Sequence, residues 1–304
     1  MTVTIACMTN GYAGCPLERV LAGIAGAGFR HVELTAGPSA HARYRPDAMG
    51  RAEIAAALAQ LRAFGLAPVS VAAHADLATP AGVAALKAGI DFAAAVGASI
   101  VTTGTGHTGT PEAVERFFAL IGEVAAHAAE RRVTVALESH GGLTGTGPDT
   151  RRTIERIGSP WVRVNYDPAN VIYYRGVRPE ADLPTIAEYV RHFHAKDSAG
   201  EPGELDFPTP GQGTIDFAQL FGVLRETGFV GPYSVELEAS GLSLPQEDEA
   251  REQAFSFLSR TLGSDASVSG REGRQGSERS HHRFAGTPDR GPVRRSDQRQ
   301  GRER

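Results

Sequence analysis

Two cysteines, three methionines and a single tryptophan in 304 residues leave little room for several kinds of protein. Cys7 and Cys15 are too few for a disulfide framework and have no thiolate-metal spacing; Cys7 reads as a small core residue. No stretch approaches the roughly 18 uninterrupted apolar residues of a membrane-spanning helix. The opening MTVTIACM lacks the basic and long apolar stretches of an export signal, so a soluble, cytoplasmic protein is the expectation, with no membrane partner. An excess of positive charge is missing too. The 31 basic and 35 acidic residues give −4, which argues against a general binder of phosphate backbones, and nucleic acid is not an expected partner. Lysine occurs only at Lys87 and Lys196 in a chain otherwise rich in arginine.

A hydrophobic content of 41% is enough for one large core. Short β-branched runs alternate with segments of helical period: TIAC at 4–7, HVEL at 31–34, VSVAA at 69–73, SIVTT at 99–103, VTVAL at 133–137, VRVNY at 162–166, VRHFH at 190–194 and YSVEL at 233–237. Amphipathic stretches such as LERVLAGIAGAGF and PEAVERFFALIGEVAAHAAERR lie between them. Eight such βα units predict an α/β fold, a closed (β/α)8 TIM barrel in a single domain over residues 1–263, because open doubly wound sheets usually stop at fewer strands. Residues 264–304 are rich in Gly, Ser and Arg, and too poor in large apolar side chains to fold; they are expected to form a disordered tail. Ten arginines and six acids give this segment +4, so the 21 basic and 29 acidic residues of 1–263 leave the body at −8.

Four side chains stand at the carboxyl ends of the last four runs: Glu138 in VALESHGG, Asp167 in VNYDPAN, His194 in HFHAKD and Glu236 in YSVELE. A barrel gathers its chemistry at that rim. Three carboxylates and one imidazole there make a mostly oxygen site for one divalent ion, Mn²⁺ or Mg²⁺ first, Co²⁺ or Zn²⁺ as alternatives. Taken singly, Asp167 before Pro168 is also a turn signal, and Glu138 also suits a helix cap. His192 and His194 share one side of their strand, and only His194 is near enough to the rim to be a ligand; His192 reads as a hydrogen-bonded interior residue. Glu236, inside an apolar run, needs a cation more than Glu238 does. Around them stand the candidate substrate-binding groups His74, His107, His140, Asn170 and Lys196, with Asp197 beside them. Lys196 suits a substrate carboxylate or a developing oxyanion. GQG at 211–213 gives the following loop a tight backbone against which a phosphate could lie.

The set LESHGG, NYDPANV, HFHAKD, GQGTIDF and GPYSVELE resembles the sugar phosphate isomerase/epimerase family, the xylose isomerase-like TIM barrels, over residues 1–263. The resemblance implies that Glu138, Asp167, His194 and Glu236 are metal ligands, and that Glu138 and Glu236 also exchange a substrate proton from opposite faces. The activity so implied is isomerisation or epimerisation of a small sugar or keto sugar, by proton transfer alpha to a carbonyl through a metal-bound enediolate. A lyase on the same site, such as a keto-inositol dehydratase or a 3-keto-sugar eliminase, is the alternative. An endonuclease IV-like repair enzyme fits less well: Asn170 stands where its DxxH pattern needs histidine, and no Asp-x-His follows HFHAKD. The partner is a small molecule, and a homo-oligomer is left open.

Overall fold

The computed structural model describes residues 3–38, 42–238 and 241–268. Each predicted run forms one strand: β1 Ile5–Met8, β2 His31–Thr35, β3 Ala67–Ala72, β4 Ile100–Thr103, β5 Thr134–Glu138, β6 Val162–Tyr166, β7 Val190–Ala195 and β8 Tyr233–Val235. They pair in parallel in chain order, and β8 closes on β1, with Ala6 opposite Ser234. The helices are α1 Leu17–Gly26, α2 Arg51–Ala63, α3 Pro80–Val96, α4 Pro111–Arg131, α5 Gly147–Ile157, α6 Pro168–Arg175, the short α7 Pro179–Asp182, α8 Phe217–Glu226 and α9 Leu244–Val268. The predicted barrel is therefore the observed one. The last helix runs to Val268, past the expected end of the domain, and the remainder of the expected tail, 269–304, lies outside the described residues.

Local chemistry starts and stops these helices. Thr79, Thr110 and Thr146 each accept a hydrogen bond from a backbone N–H of the first turn, and a proline sits at one of the first two positions of α3, α4 and α5. Among the described residues no helix is long and apolar enough to cross a membrane.

The inside of the barrel is polar rather than aliphatic. Glu33, Ser70, Thr102, Asn165, His192 and His194 are all fully buried there. His192 bonds Asn165 Oδ1 through Nδ1 and Ser70 Oγ through Nε2, both at 2.9 Å, so it is the satisfied interior histidine expected from its position. Thr102 donates to Glu33 Oε1 at 2.7 Å. This network is the floor on which the rim residues stand.

At the seam between the first and last strands, the loop after β1 is clamped to the start of α9. Glu247 accepts from the backbone N–H of Tyr12 at 3.0 Å and from Arg251 Nη1 at 2.5 Å. Arg251 is fully buried, donates to the carbonyl of Asn10 at 3.0 Å and lies 4.1 Å over the Tyr12 ring. Cys7 packs in the core, and both cysteines are free.

Candidate metal centre

The strand ends deliver the four predicted ligands to one place. Glu138 is the last residue of β5, Asp167 follows β6, His194 is the penultimate residue of β7 and Glu236 follows β8. Each offers one ligand atom within 4.8 Å of the others, and all four residues are buried. His194 Nδ1 stands 3.0 Å from Glu236 Oε2, 3.7 Å from Glu138 Oε1 and 3.8 Å from Asp167 Oδ2.

Asp167 has two jobs. Its Oδ1 accepts the Asn170 N–H at 3.0 Å and caps α6, which begins with Pro168. The turn signal in the sequence was therefore real, and it frees Oδ2 to face the cluster. Glu138 is held on its other side, where Asn170 Nδ2 donates to Oε1 at 2.9 Å.

The donor set fits a divalent cation. Glu138 Oε2, Asp167 Oδ2 and Glu236 Oε2 are buried and none receives a well-aligned hydrogen bond, although His74 Nε2 lies 3.2 Å from the first, Lys196 Nζ 3.8 Å from the second and His194 Nδ1 3.0 Å from the third. Three carboxylates packed this closely out of water call for more positive charge than one lysine and two imidazoles, charged only when protonated, supply beside them. Burial first, with repulsion from Glu236 and Glu138 added, lifts the Asp167 carboxyl to about 6. Burial works the same way on Glu138, but the His194 and His74 imidazoles outweigh it and hold that carboxyl well below the usual range. Like charges forced together in this way are what a metal ion relieves.

Glu33, on β2, was not among the expected site residues. Its Oε2 lies 3.1 Å from His194 Nε2. Burial disfavours a charged His194, but Glu33 and Glu236 outweigh it and hold the imidazole protonated well above its ordinary range; an ion would take the place of the Nδ1 proton, while the Nε2 proton shared with Glu33 would keep the ring oriented.

The predicted substrate groups divide. His74 Nε2 is 3.2 Å from Glu138 Oε2, with 43% of its side chain exposed. His140 lies against the Tyr174 ring at 4.8 Å, bonded to its hydroxyl at 3.1 Å, and 6.1 Å from the His74 ring. The three rings make one wall of the mouth. Lys196 is buried, 3.4 Å from Asn170 Oδ1 and 3.8 Å from Asp167 Oδ2. His107 is set apart: its ring is 94% exposed and bonded to Asp76 at 3.1 Å, and among the described contacts none joins it to the cluster.

Asp197 has a structural duty in place of a substrate one. Its carboxylate accepts the N–H groups of Ser198, Gly211 and Gly213 at 2.8–2.9 Å. The Gly211 and Gly213 amides are thus spent on Asp197 and that of Gln212 on the Thr209 carbonyl, so the GQG turn presents no free N–H to a phosphate. Gly211 has φ +92°, and a Cβ on Gly213 would collide with the Asp197 carboxylate, so the turn needs both glycines. The following helix starts at Phe217, capped by Asp216.

Residues 21–260 match the family model described as xylose isomerase-like TIM barrel. Similar solved structures include a xylose isomerase domain protein from Planctomyces limnophilus, with TM-score 0.72, 22% identity and coverage of 87% of this chain and 98% of that one. Another is a xylose isomerase-like TIM barrel protein from Mycobacterium smegmatis in complex with magnesium, with TM-score 0.67, 21% identity and coverage of 86% and 98%. A third is D-allulose 3-epimerase from Methylomonas sp., with TM-score 0.66, 17% identity and coverage of 85% and 98%. A sequence search of curated proteins gives no match.

Proposed function

The chain belongs to the xylose isomerase-like TIM barrel family, and on that footing we propose that it is a divalent-metal-dependent isomerase or epimerase of a small sugar or keto sugar. One observation carries the reading: three buried carboxylates, of Glu138, Asp167 and Glu236, each bring an oxygen within 4.8 Å of the others and of a His194 nitrogen. Glu138, Asp167, His194 and Glu236 would hold the ion, Mn²⁺ or Mg²⁺ by preference. When bound, such an ion polarises a carbonyl oxygen and steadies the negative charge that forms there. A magnesium complex and a sugar 3-epimerase among the similar structures support the same reading.

The protein's own part is to move the proton. Glu138 and Glu236 flank His194 Nδ1. As base and acid they remove and return the proton on the carbon next to the carbonyl, each positioned transfer being worth on the order of 10² to 10⁴ in rate. Asn170 fixes the orientation of Glu138, and His74 stands between that carboxylate and solvent, where it can relay the proton. Lys196 keeps a positive charge beside the cluster and holds a substrate oxygen. His140 lines the mouth with Tyr174. A cytoplasmic role in carbohydrate metabolism goes with this reading.

A second reading, loss of a β-hydroxyl after the same deprotonation, rests on the Lys196 ammonium, 3.9 Å from Glu236 Oε2 and so placed to hold a departing oxygen. One experiment tests both. Metal-loaded protein is incubated in D₂O with ketoses, keto-inositols and keto-glycosides, and α-deuterium and product mass are read. Deuterium without mass loss is expected; loss of water selects the lyase, and no incorporation from any compound, with metal bound, ends the proposal.

A further inference from the structure

The geometry points to Glu238 as the residue that sets the charge of the substrate: by holding the Lys196 ammonium it makes the mouth select an uncharged polyhydroxy carbonyl compound over its phosphorylated or carboxylated counterpart. This deepens the proposed function and rests on it for where the substrate lies.

A buried lysine beside a metal-type cluster would ordinarily invite an anion. Here its charge is already answered. Lys196 is 3% exposed, its Nζ lies 2.5 Å from Glu238 Oε2, and Asp167 and Glu236 follow at 3.8 and 3.9 Å. The Phe207 ring, 4.4 Å away, shields another side of the ammonium. An anion approaching Lys196 must displace Glu238 and then face two further carboxylates, which costs affinity. With Glu33 and Glu138 the neighbourhood holds five carboxylates, so one ammonium and a divalent ion still leave it negative.

Among the described residues, three arginines with backbone carbonyl contacts are partly engaged, Arg175 while still exposed. Arg43 donates to the carbonyls of Gly11 and Cys15, Arg175 to that of Gly142 and Arg251 to that of Asn10. The amides of Gly211 and Gly213 belong to Asp197. The wall of His74, His140 and Tyr174 offers ring faces instead, which suit the C–H face of a neutral sugar.

Matched pairs test the assignment: D-fructose with D-fructose 6-phosphate, and D-ribulose with D-ribulose 5-phosphate. Binding to metal-loaded wild-type, Glu238→Gln and Glu238→Asp protein is measured by calorimetry, with α-deuterium incorporation read in parallel. The free sugar should bind wild type about tenfold more tightly than its ester. Glu238→Gln should close most of that gap by strengthening the ester, and Glu238→Asp, which keeps the charge, should preserve it. An ester that binds wild type better, a gap unchanged in Glu238→Gln, or no binding of any probe overturns the assignment. Selectivity that shifts as stated without deuterium incorporation leaves the assignment standing and defeats only the proposed reaction.

Discussion

Two places in this barrel bury charge, and they are built on opposite plans. At the seam, Arg251 is fully enclosed but meets the Glu247 carboxylate, the Asn10 carbonyl and the Tyr12 ring. A cation has its anion, and the chain supplies both. At the rim of β5 to β8, the carboxylates of Glu138, Asp167 and Glu236 crowd together around His194 and, with Glu33 and Glu238, outnumber the cations beside them, His194, His74 and Lys196, of which the imidazoles are charged only when protonated. Burial is as deep in both, so burial alone does not mark a functional site. The difference is in the balance: the seam pairs one cation with one anion, whereas the rim gathers an excess of carboxylates, which is the arrangement that suits an added cation.

Substitutions can break that contrast. The largest effect should come from Glu138→Gln and Glu236→Gln, each expected to lower turnover by about 10² to 10⁴ with an unchanged circular dichroism spectrum. Near-normal rates in both would refute the two-carboxylate mechanism. Arg251→Met should act on the other plan, lowering unfolding stability by about 3 to 5 kcal/mol in urea titrations, because it strands the buried Glu247 charge. If it left stability untouched, the seam would not be the structural pair described. Glu33→Gln should weaken metal affinity by about 10- to 100-fold through the loosened His194 ring, in a folded protein; calorimetric titration with Mn²⁺ checks this.

The smallest effect sharpens the comparison through pH. Asp167 has a folded value of about 6 against an ordinary 3.8. Its folded value being the higher one, the stabilisation from its proton is fully present below the unfolded value and is lost as pH rises through about 6. Because the neutral buried His192, held down to about 4 by burial, works in the opposite direction over this range, the Asp167 part is read as a difference: metal-free wild type should lose about 1 kcal/mol of stability relative to Asp167→Asn between pH 5 and pH 7. Added metal, which needs the ionised carboxylate, should restore more at pH 7. Differential scanning calorimetry with and without chelator reads both, and a metal-dependent shift that shrinks with rising pH would contradict the assignment.

Much of this was legible before any coordinates. The eight strands announced themselves because β-branched runs recur at the spacing of βα units, and the four side chains that cluster at the rim because each ends one of four successive runs. The parity of His192 and His194 foretold that both face inward. What the sequence withheld was direction and company. Glu33 sits inside HVEL as a lone charge, which reads as the wet face of a strand; only closure of the barrel turns it toward His194. Glu247 and Arg251, four apart on a helix, look like an ordinary surface pair until the loop after β1 covers them. His107 and Asp197 follow strands as the other candidates do, yet one ring turns out to Asp76 and one carboxylate turns back to its own loop.

Asp167 carries a last implication. One oxygen accepts the N–H that caps the first turn of α6, which leaves the other as the oxygen that faces the cluster. An ion held here would meet Asp167 through one oxygen, an arrangement that suits small ions with few protein ligands better than large ions such as calcium that collect many.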